Sequence, residues 1–146
     1  MSERAYVVYP ERAIFENPAA DVSPKVFINE PGTVSFGTID FPMHYIRALH
    51  RHKTWELIIL DNSSEGPGYV FFDDLWWRVL PGSGVFVPKG LSHAWSSGAN
   101  RFKMLWVYGG SRKEAGRILD VPEGTMQPIS ADEEKKARIW SPAVAV

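Results

Sequence analysis

The sequence contains no cysteine, no long apolar segment and no surplus of charge of one sign. Without cysteine there are no disulfides and no thiolate metal ligands, which fits a reducing cytoplasm. No apolar run approaches the roughly 20 residues that span a bilayer, and the N-terminal MSERAYVVYPERA carries charges where a signal peptide needs an apolar core. With a net charge of −1, the chain shows no basic footprint for nucleic acid or an anionic membrane. We therefore expect a cytoplasmic protein that binds neither nucleic acid nor a membrane.

The chain has the length of one ordinary domain, since 146 residues are enough to bury a real core. Its apolar share of 45% and charged share of 23% are typical of a globular protein and exclude global disorder. We predict a single domain over 1–146, with an N-terminal arm of edge strands (1–32), a barrel core (33–108) and a helical segment with a tail (109–146).

The region from about 33 to 108 alternates short apolar runs with turn signals. Runs such as TWELIIL and FKMLWVY are separated by Gly- and Pro-containing turns such as DNSSEGPG, without helical periodicity. Many short strands of this kind are typical of an antiparallel sandwich or barrel. Four prolines within residues 1–32 favour edge strands and loops over helices there.

The character of the sequence changes after residue 109. The stretch SRKEAGRILD predicts a short helix, and the capping-box spacing of Ser130 and Glu133 predicts a final helix near 131–138. The tail SPAVAV is expected either to fray or to pack on a neighbour.

The stretch HRHKTWE, residues 50–56, concentrates possible metal ligands. His50 and His52 project from one face of a strand, roughly 7 Å apart, and Glu56 shares that face if the strand stays regular. Farther along, His93 follows a Pro-x-Gly turn that lets the chain re-enter the sheet and aim His93 back at His50. Imidazoles that reach inward from such positions can converge on one ion.

These two stretches resemble the cupin family. Its first motif is Gly, five residues, His-x-His, three or four residues, Glu, six residues, Gly; its second is Gly, five residues, Pro-x-Gly, two residues, His, three residues, Asn. The matching positions are His50, His52 and Glu56 in the first motif, and Gly82, Pro88, Gly90 and His93 in the second. The resemblance covers about residues 33–108. It implies an all-β double-stranded β-helix (jelly-roll barrel), here with short C-terminal helices, a homodimer, and His50, His52, Glu56 and His93 as the four ligands of a metal.

Three neutral imidazoles and one carboxylate suit a divalent transition metal. An octahedral shell leaves two positions for water, oxygen or a bidentate substrate. Fe(II) and Mn(II) are favoured, and Zn(II), Ni(II) and Co(II) fit the same ligands. Glu56 can also leave the metal and act as a general base.

The sequence departs from the family pattern at three places. His44 stands where the first glycine is usual, Ser97 replaces the terminal asparagine, and the turn over 61–68 is longer than the pattern. None of these removes a ligand, but we expect the long turn to reshape the mouth of the pocket. His44 lies roughly 20 Å of extended strand away from His50, too far to share its metal.

Aromatic and sulfur-containing side chains near the motifs are candidates for the walls of a substrate pocket. They are Trp95, Met104, Trp106 and Tyr108, of which the last three share one face of their strand. Ordinary barrel core explains each of them equally well. Tyr69 is a candidate phenol near the metal, so the candidate catalytic residues are Glu56 and Tyr69.

Three basic residues are candidates for binding a substrate carboxylate. Strand parity predicts that Arg47 and Lys103 face outward. Arg78 shares parity with Trp76 and Leu80 and is a candidate for binding if it faces inward, where it needs a partner or an anionic ligand; an exposed surface position is somewhat favoured over this.

Three functions follow from these features. The first is a metal-dependent dioxygenase acting on a small organic molecule, because an open Fe(II) site in an aromatic pocket suits that reaction. The second is a lyase or isomerase in which the metal acts as a Lewis acid and Glu or Tyr as the base. The third is a binding module that holds a sugar or an organic acid and catalyses nothing.

Overall fold

The computed structural model describes residues 4–139, which form two six-stranded β-sheets, two short α-helices and one turn of 3-10 helix at Pro10–Arg12. The predicted behaviour of the tail SPAVAV concerns residues outside this range. In chain order the strands are β1 (Ile14–Phe15), β2 (Lys25–Glu30), β3 (Val34–Phe41), β4 (Ile46–Arg51), β5 (Glu56–Leu60), β6 (Gly68–Phe72), β7 (Leu75–Val79), β8 (Gly84–Val87), β9 (His93–Ser97), β10 (Phe102–Tyr108), β11 (Ile118–Leu119) and β12 (Arg138–Ile139). The helices are α1 (Arg112–Ala115) and α2 (Ala131–Lys136).

The two sheets have the spatial orders β1-β2-β3-β10-β5-β8 and β11-β4-β9-β6-β7-β12. The pair of β12 with β7 is parallel and the other pairs are antiparallel. Successive strands repeatedly cross from one sheet to the other, so β4 pairs with the distant β9 and β3 with the distant β10. The predicted all-β jelly-roll fold is confirmed.

One apolar core lies between the sheets. In β10 the even-numbered side chains are buried and the odd-numbered ones are half-buried, as the parity rule predicts. They join side chains from the inner faces of both sheets, including Ile39, Phe41, Ile58, Leu60, Val70, Val79 and Trp95. This packing of two inner faces is the usual core of a β-sandwich or barrel.

The ends of the chain follow the predictions in part. β1 is the edge strand of the first sheet, and β2 lies between it and β3. The capping box of α2 is present: the Glu133 amide donates to Ser130 Oγ at 3.1 Å, and the Ser130 amide donates to Glu133 Oε1 at 3.0 Å. Within residues 4–139 no helix has the length and apolar character needed to cross a bilayer.

The helix predicted over SRKEAGRILD is wrong in extent. It ends at Ala115, because Gly116 adopts φ +59° and terminates it. The chain then runs on as β11, which pairs with β4. Leu119 of β11 is the ladder partner of His50, and α1 directly precedes β11 in the chain. This pairing therefore places α1 near the histidine.

Candidate metal centre

Three histidines meet on neighbouring strands of the second sheet. His50 of β4 lies directly opposite His93 of β9 in the antiparallel ladder, and His52 follows β4 immediately after its end. All three are buried, and one ring nitrogen of each lies within 4.8 Å of the others. The Pro88-x-Gly90 turn places His93: Leu91 N donates to the Pro88 carbonyl, and Gly90 has φ +80°, which glycine adopts without strain.

A backbone carbonyl fixes the tautomer of each imidazole. His50 Nδ1 lies 2.6 Å from the Ala48 carbonyl oxygen and His93 Nδ1 lies 2.9 Å from that of Leu91. His52 Nδ1 contacts the Gly116 carbonyl oxygen. Because a carbonyl can only accept, each Nδ1 carries the hydrogen and each Nε2 keeps a lone pair. This is the arrangement in which metal-binding histidines are oriented.

The Glu56 carboxylate lies against two of these lone pairs. Its Oε2 is 3.1 Å from His52 Nε2 and its Oε1 is 3.3 Å from His93 Nε2. His93 Nε2 is fully buried and lacks a hydrogen bond of good geometry within the described residues. Lone pairs that face carboxylate oxygens at such distances need a cation or a proton between them. The three imidazole nitrogens are close enough to one another to hold a metal ion, and imidazoles with a neighbouring carboxylate have the ligand chemistry that a divalent transition metal prefers.

The charges of this cluster depend on one another. Burial and the neighbouring His93 lower the pKa of His50 to about 3. Burial opposes ionisation of Glu56, but its contacts with His52 and His93 outweigh that effect and lower its pKa. For His93, the contact with Glu56 outweighs burial and raises its pKa. His50 is therefore a neutral imidazole and Glu56 a carboxylate near neutral pH.

A buried phenol completes the cluster. Tyr108 of β10 is the ladder partner of Glu56 in β5, and its hydroxyl lies 3.3 Å from His52 Nε2. Burial and the Glu56 charge raise the pKa of Tyr108 well above its ordinary value. The phenol beside the histidines is therefore Tyr108, which the sequence indicated only as a pocket wall.

A cavity of about 390 Å³ opens onto this cluster. Its walls are mainly apolar and include Ile39, Phe41, Ile58, Trp95, Met104 and Trp106. Of the predicted pocket residues, Trp95, Met104, Trp106 and Tyr108 all line it, and they belong to the core as well.

Charged residues line the mouth of the cavity. The side chains of Arg112, Arg117 and Glu16 are 21%, 34% and 45% exposed, whereas those of His52 and Glu56 at the floor are 5% and 3% exposed. Arg112 binds Glu16 through Nε at 2.7 Å and Nη2 at 3.2 Å. Its guanidinium lies 4.4 Å from the centroid of the Trp106 ring and 5.1 Å from that of Tyr108.

The prediction that Arg47 faces outward is wrong, because Arg47 lines the cavity. The β4–β9 ladder shifts register between Arg47 and His50, and such an irregularity reverses the parity of the residues before it. Burial, followed by the charge of Arg117, lowers the pKa of Arg47. No local sequence signal marks this irregularity.

The structure does not bring Tyr69 or Arg78 to the cluster. Both are ladder partners in β6 and β7. Arg78 is exposed on the face where Trp76 meets Glu133 of α2. Tyr69 is buried near the same helix, and its burial together with the Glu134 carboxylate raises its pKa. The predicted roles of Tyr69 in catalysis and of Arg78 in binding are wrong in placement, because the face that they share is the outer one, covered by α2.

The three departures from the motif pattern have structural explanations. His44 is exposed with φ +55°, a conformation that favours glycine. Ser97 Oγ accepts from the Tyr45 amide at 2.9 Å and donates to the Pro42 carbonyl, so it holds the turn around His44. The expectation that the long turn reshapes the mouth is wrong, since no residue of 61–68 is among those that line the cavity.

Solved structures with similar folds include named enzymes. The DMSP lyase DddQ from Ruegeria pomeroyi DSS-3 is 21% identical with a TM-score of 0.61, over 75% of this chain and 58% of that one. The polyketide cyclase RemF from Streptomyces resistomycificus is 18% identical with a TM-score of 0.60, over 85% of this chain and 89% of that one. The chain thus spans little more than half the length of the DMSP lyase, and at such identities the likeness shows the fold alone.

Two further comparisons concern the family. An RmlC-like cupin from Shewanella frigidimarina NCIMB 400 is 16% identical with a TM-score of 0.62, over 77% of this chain and 97% of that one. No curated protein matches the sequence. The sequence profile of the AraC-like ligand binding domain matches residues 32–135, which include every histidine of the cluster. The chain therefore belongs to the family of AraC-like ligand binding domains and has the cupin fold.

Proposed function

We propose that this protein is a metal-dependent enzyme that catalyses proton transfer on a small organic molecule, as a lyase or an isomerase. His50, His52, Glu56 and His93 would hold one divalent transition metal, with Fe(II) or Mn(II) favoured and Zn(II), Ni(II) or Co(II) as alternatives. The observation that carries the proposal is the position of the Tyr108 hydroxyl, 3.3 Å from His52 Nε2 and in a ladder pair with Glu56.

When bound, the metal would supply Lewis-acid polarisation of an oxygen atom of the substrate. Tyr108, whose raised pKa keeps it a neutral phenol, is placed to donate its hydroxyl hydrogen to an atom bound beside His52. Glu56, a carboxylate near neutral pH, is the group that can take a proton there. The apolar walls would orient the substrate and exclude water from the proton transfer.

The names of similar folds agree with redox-neutral chemistry, since one neighbour is a lyase and another a cyclase. This is analogy at the level of the fold, so the argument depends on Tyr108 and the cluster. A dioxygenase would use the same metal ligands and would consume oxygen, whereas the Tyr108 phenol supplies a group for acid–base chemistry at the cluster. We therefore place proton transfer ahead of the dioxygenase.

The family match favours one further candidate, a ligand-binding module without turnover. In that case the cavity would hold the same class of small molecule, and Tyr108 would serve as a hydrogen-bond donor to it. This candidate predicts tight binding and an unchanged ligand after prolonged incubation.

The test is a turnover screen with the protein loaded with Fe(II), Mn(II) or Zn(II), on small hydroxy acids, enols, diketones and diols, with product analysis and an oxygen electrode. We expect a product without oxygen uptake, and about a hundredfold lower kcat in Tyr108→Phe, which removes a proton-transfer group. Tyr69→Phe removes a phenol that lies outside the cavity and should keep full activity. Stoichiometric oxygen uptake would establish the dioxygenase, and binding without product the binding module.

A further inference from the structure

We infer that the ligand of this cavity is an organic anion, whose carboxylate binds Arg47 while its apolar body lies between Trp95 and Trp106 and reaches towards the histidines. The inference depends on the proposed function only for the statement that the far end of the ligand is the reacting end. The anion site itself is argued from charges and contacts that do not involve a metal.

Arg47 is a cation in the cavity wall without an anionic partner. Its Nη1 donates to the Tyr45 hydroxyl at 3.4 Å, and its guanidinium lies 5.9 Å from the centroid of that ring. Within residues 4–139 no carboxylate oxygen lies within 4.0 Å of it. The side chain is half-buried, and a guanidinium that has lost much of its hydration is stabilised by an oxyanion that accepts both of its parallel N–H groups.

Positive charge is in excess around Arg47. Arg112 and Arg117 line the same cavity and lie close enough for their charges to act on Arg47. The carboxylate partner of Arg112 is Glu16, while Arg117 has only a contact of 4.0 Å with Glu123, whose side chain is 82% exposed. At the mouth, the three guanidiniums thus face the single carboxylate of Glu16, because the other lining carboxylate, Glu56, lies at the floor beside the histidines. This leaves a positive field at the mouth.

Glu16 illustrates that the arginines around the mouth of the cavity bind a carboxylate. Its carboxylate lies in the cavity lining and accepts two hydrogen bonds from Arg112. This contact, together with the charges of Arg47 and Arg117, lowers its pKa against the effect of burial. A second carboxylate, brought in by the ligand, would find the same field and the guanidinium of Arg47, which forms no ion pair within residues 4–139.

The walls between the mouth and the floor determine the rest of the ligand. They are the apolar side chains of Ile39, Phe41, Ile58 and Met104, together with the two tryptophans. A volume of about 390 Å³ admits a small molecule and is far too small for a polymer. An inorganic anion would leave these walls uncovered, so a carboxylate on an apolar or aromatic body fits better.

The test uses metal-free full-length protein, stripped with a chelator, and follows the tryptophan indole N–H signals by NMR. Phenylacetate and phenylacetamide are the probes, because they share a body and differ in charge. We expect phenylacetate to shift the signals of Trp95 and Trp106 and to bind about tenfold more tightly than the amide, as a charge-assisted bidentate contact allows.

Arg47→Gln should remove this preference for the acid. Arg47→Lys keeps the charge but loses the two parallel N–H donors, so its preference for the acid should lie between those of wild type and Arg47→Gln. Arg138→Gln is the matched control, because it removes one exposed positive charge from β12, at the far edge of the second sheet. The inference is overturned if the acid binds no better than the amide in wild type, a measurement that needs no variant. It is also overturned if Arg47→Gln and Arg138→Gln lose affinity equally.

The outcomes separate this inference from the proposed function. Acid preference in a protein that binds no metal and turns over no substrate would support the anion site and contradict the enzyme. Turnover of neutral substrates, without acid preference, would support the enzyme and contradict the anion site.

Discussion

His50 and His93 face each other across β4 and β9, with ring centroids 4.4 Å apart. Each Nδ1 is bound to a carbonyl of its own chain segment, so both Nε2 lone pairs remain available to a shared cation. The pairing is set by the register of a β-ladder, which is more rigid than a loop. The β-ladder and these two carbonyls therefore orient the two imidazoles together.

The first prediction concerns metal binding. His50→Ala should weaken the affinity for Zn(II) or Mn(II) by more than about 100-fold, because even loss of a residue that only supports a ligand costs 10- to 100-fold. The measurement is metal content after dialysis together with competition against a chelator. His44→Asn is the control: it removes an exposed histidine and tolerates φ +55°. Equal affinity in the two variants would contradict the proposed site.

The second prediction concerns the close approach of β3 to the cavity wall. Gly37 is the ladder partner of Trp106, and a Cβ there would overlap the Trp106 ring and the Lys25 carbonyl. Gly37→Ala should lower the free energy of unfolding by about 2 kcal/mol, as overpacking does, and shift the indole signal of Trp106. Gly84→Ala places its Cβ 3.9 Å from the nearest oxygen, so it should change stability by less than about 0.5 kcal/mol in the same urea titration. Equal effects of the two would refute the close packing.

The third prediction concerns the N-terminal end of α2, the helix that covers the outer face of β7. Ser130→Ala removes the acceptor of the Glu133 amide and should lower the free energy of unfolding by about 1 kcal/mol. Ser130→Asp keeps an acceptor at the same position and should retain most of the wild-type free energy of unfolding. The comparison is made by thermal unfolding; an alanine variant as stable as the aspartate one would show that the capping box contributes nothing.

Sequence reasoning predicted the parts of the site that depend on short spacings. His50 and His52 stand two residues apart, and the turn before His93 has fixed geometry, so their convergence follows from strand parity and one turn. The same rule explains the buried face of β10. The homodimer and the cytoplasmic location stay predictions.

What the sequence did not predict depends on irregular or long-range pairing. The register shift in β4 turns Arg47 into the cavity, against simple alternation. Arg112 meets Glu16 across 96 residues, a contact that no local pattern encodes. The facing of Arg78 stayed open between inward and surface positions, because parity tells which residues share a face of β7 but not which face is covered by α2.

The last prediction uses pH to test the contact between Arg112 and Glu16. The contact lowers the pKa of Glu16 below its ordinary value of 4.5, so its contribution to stability is present above about that pH and is lost as the pH falls through the lowered pKa. Since the Glu16 side chain is 45% exposed, solvent screens the pair, and Glu16→Gln should cost less than about 1 kcal/mol at pH 7. The difference in free energy of unfolding between wild type and Glu16→Gln should shrink at pH 3, and also at pH 7 in 1 M salt, where the Debye length is about 3 Å. A difference that persists unchanged under both conditions would mean that packing of the N-terminal segment, rather than this ion pair, holds the mouth of the cavity.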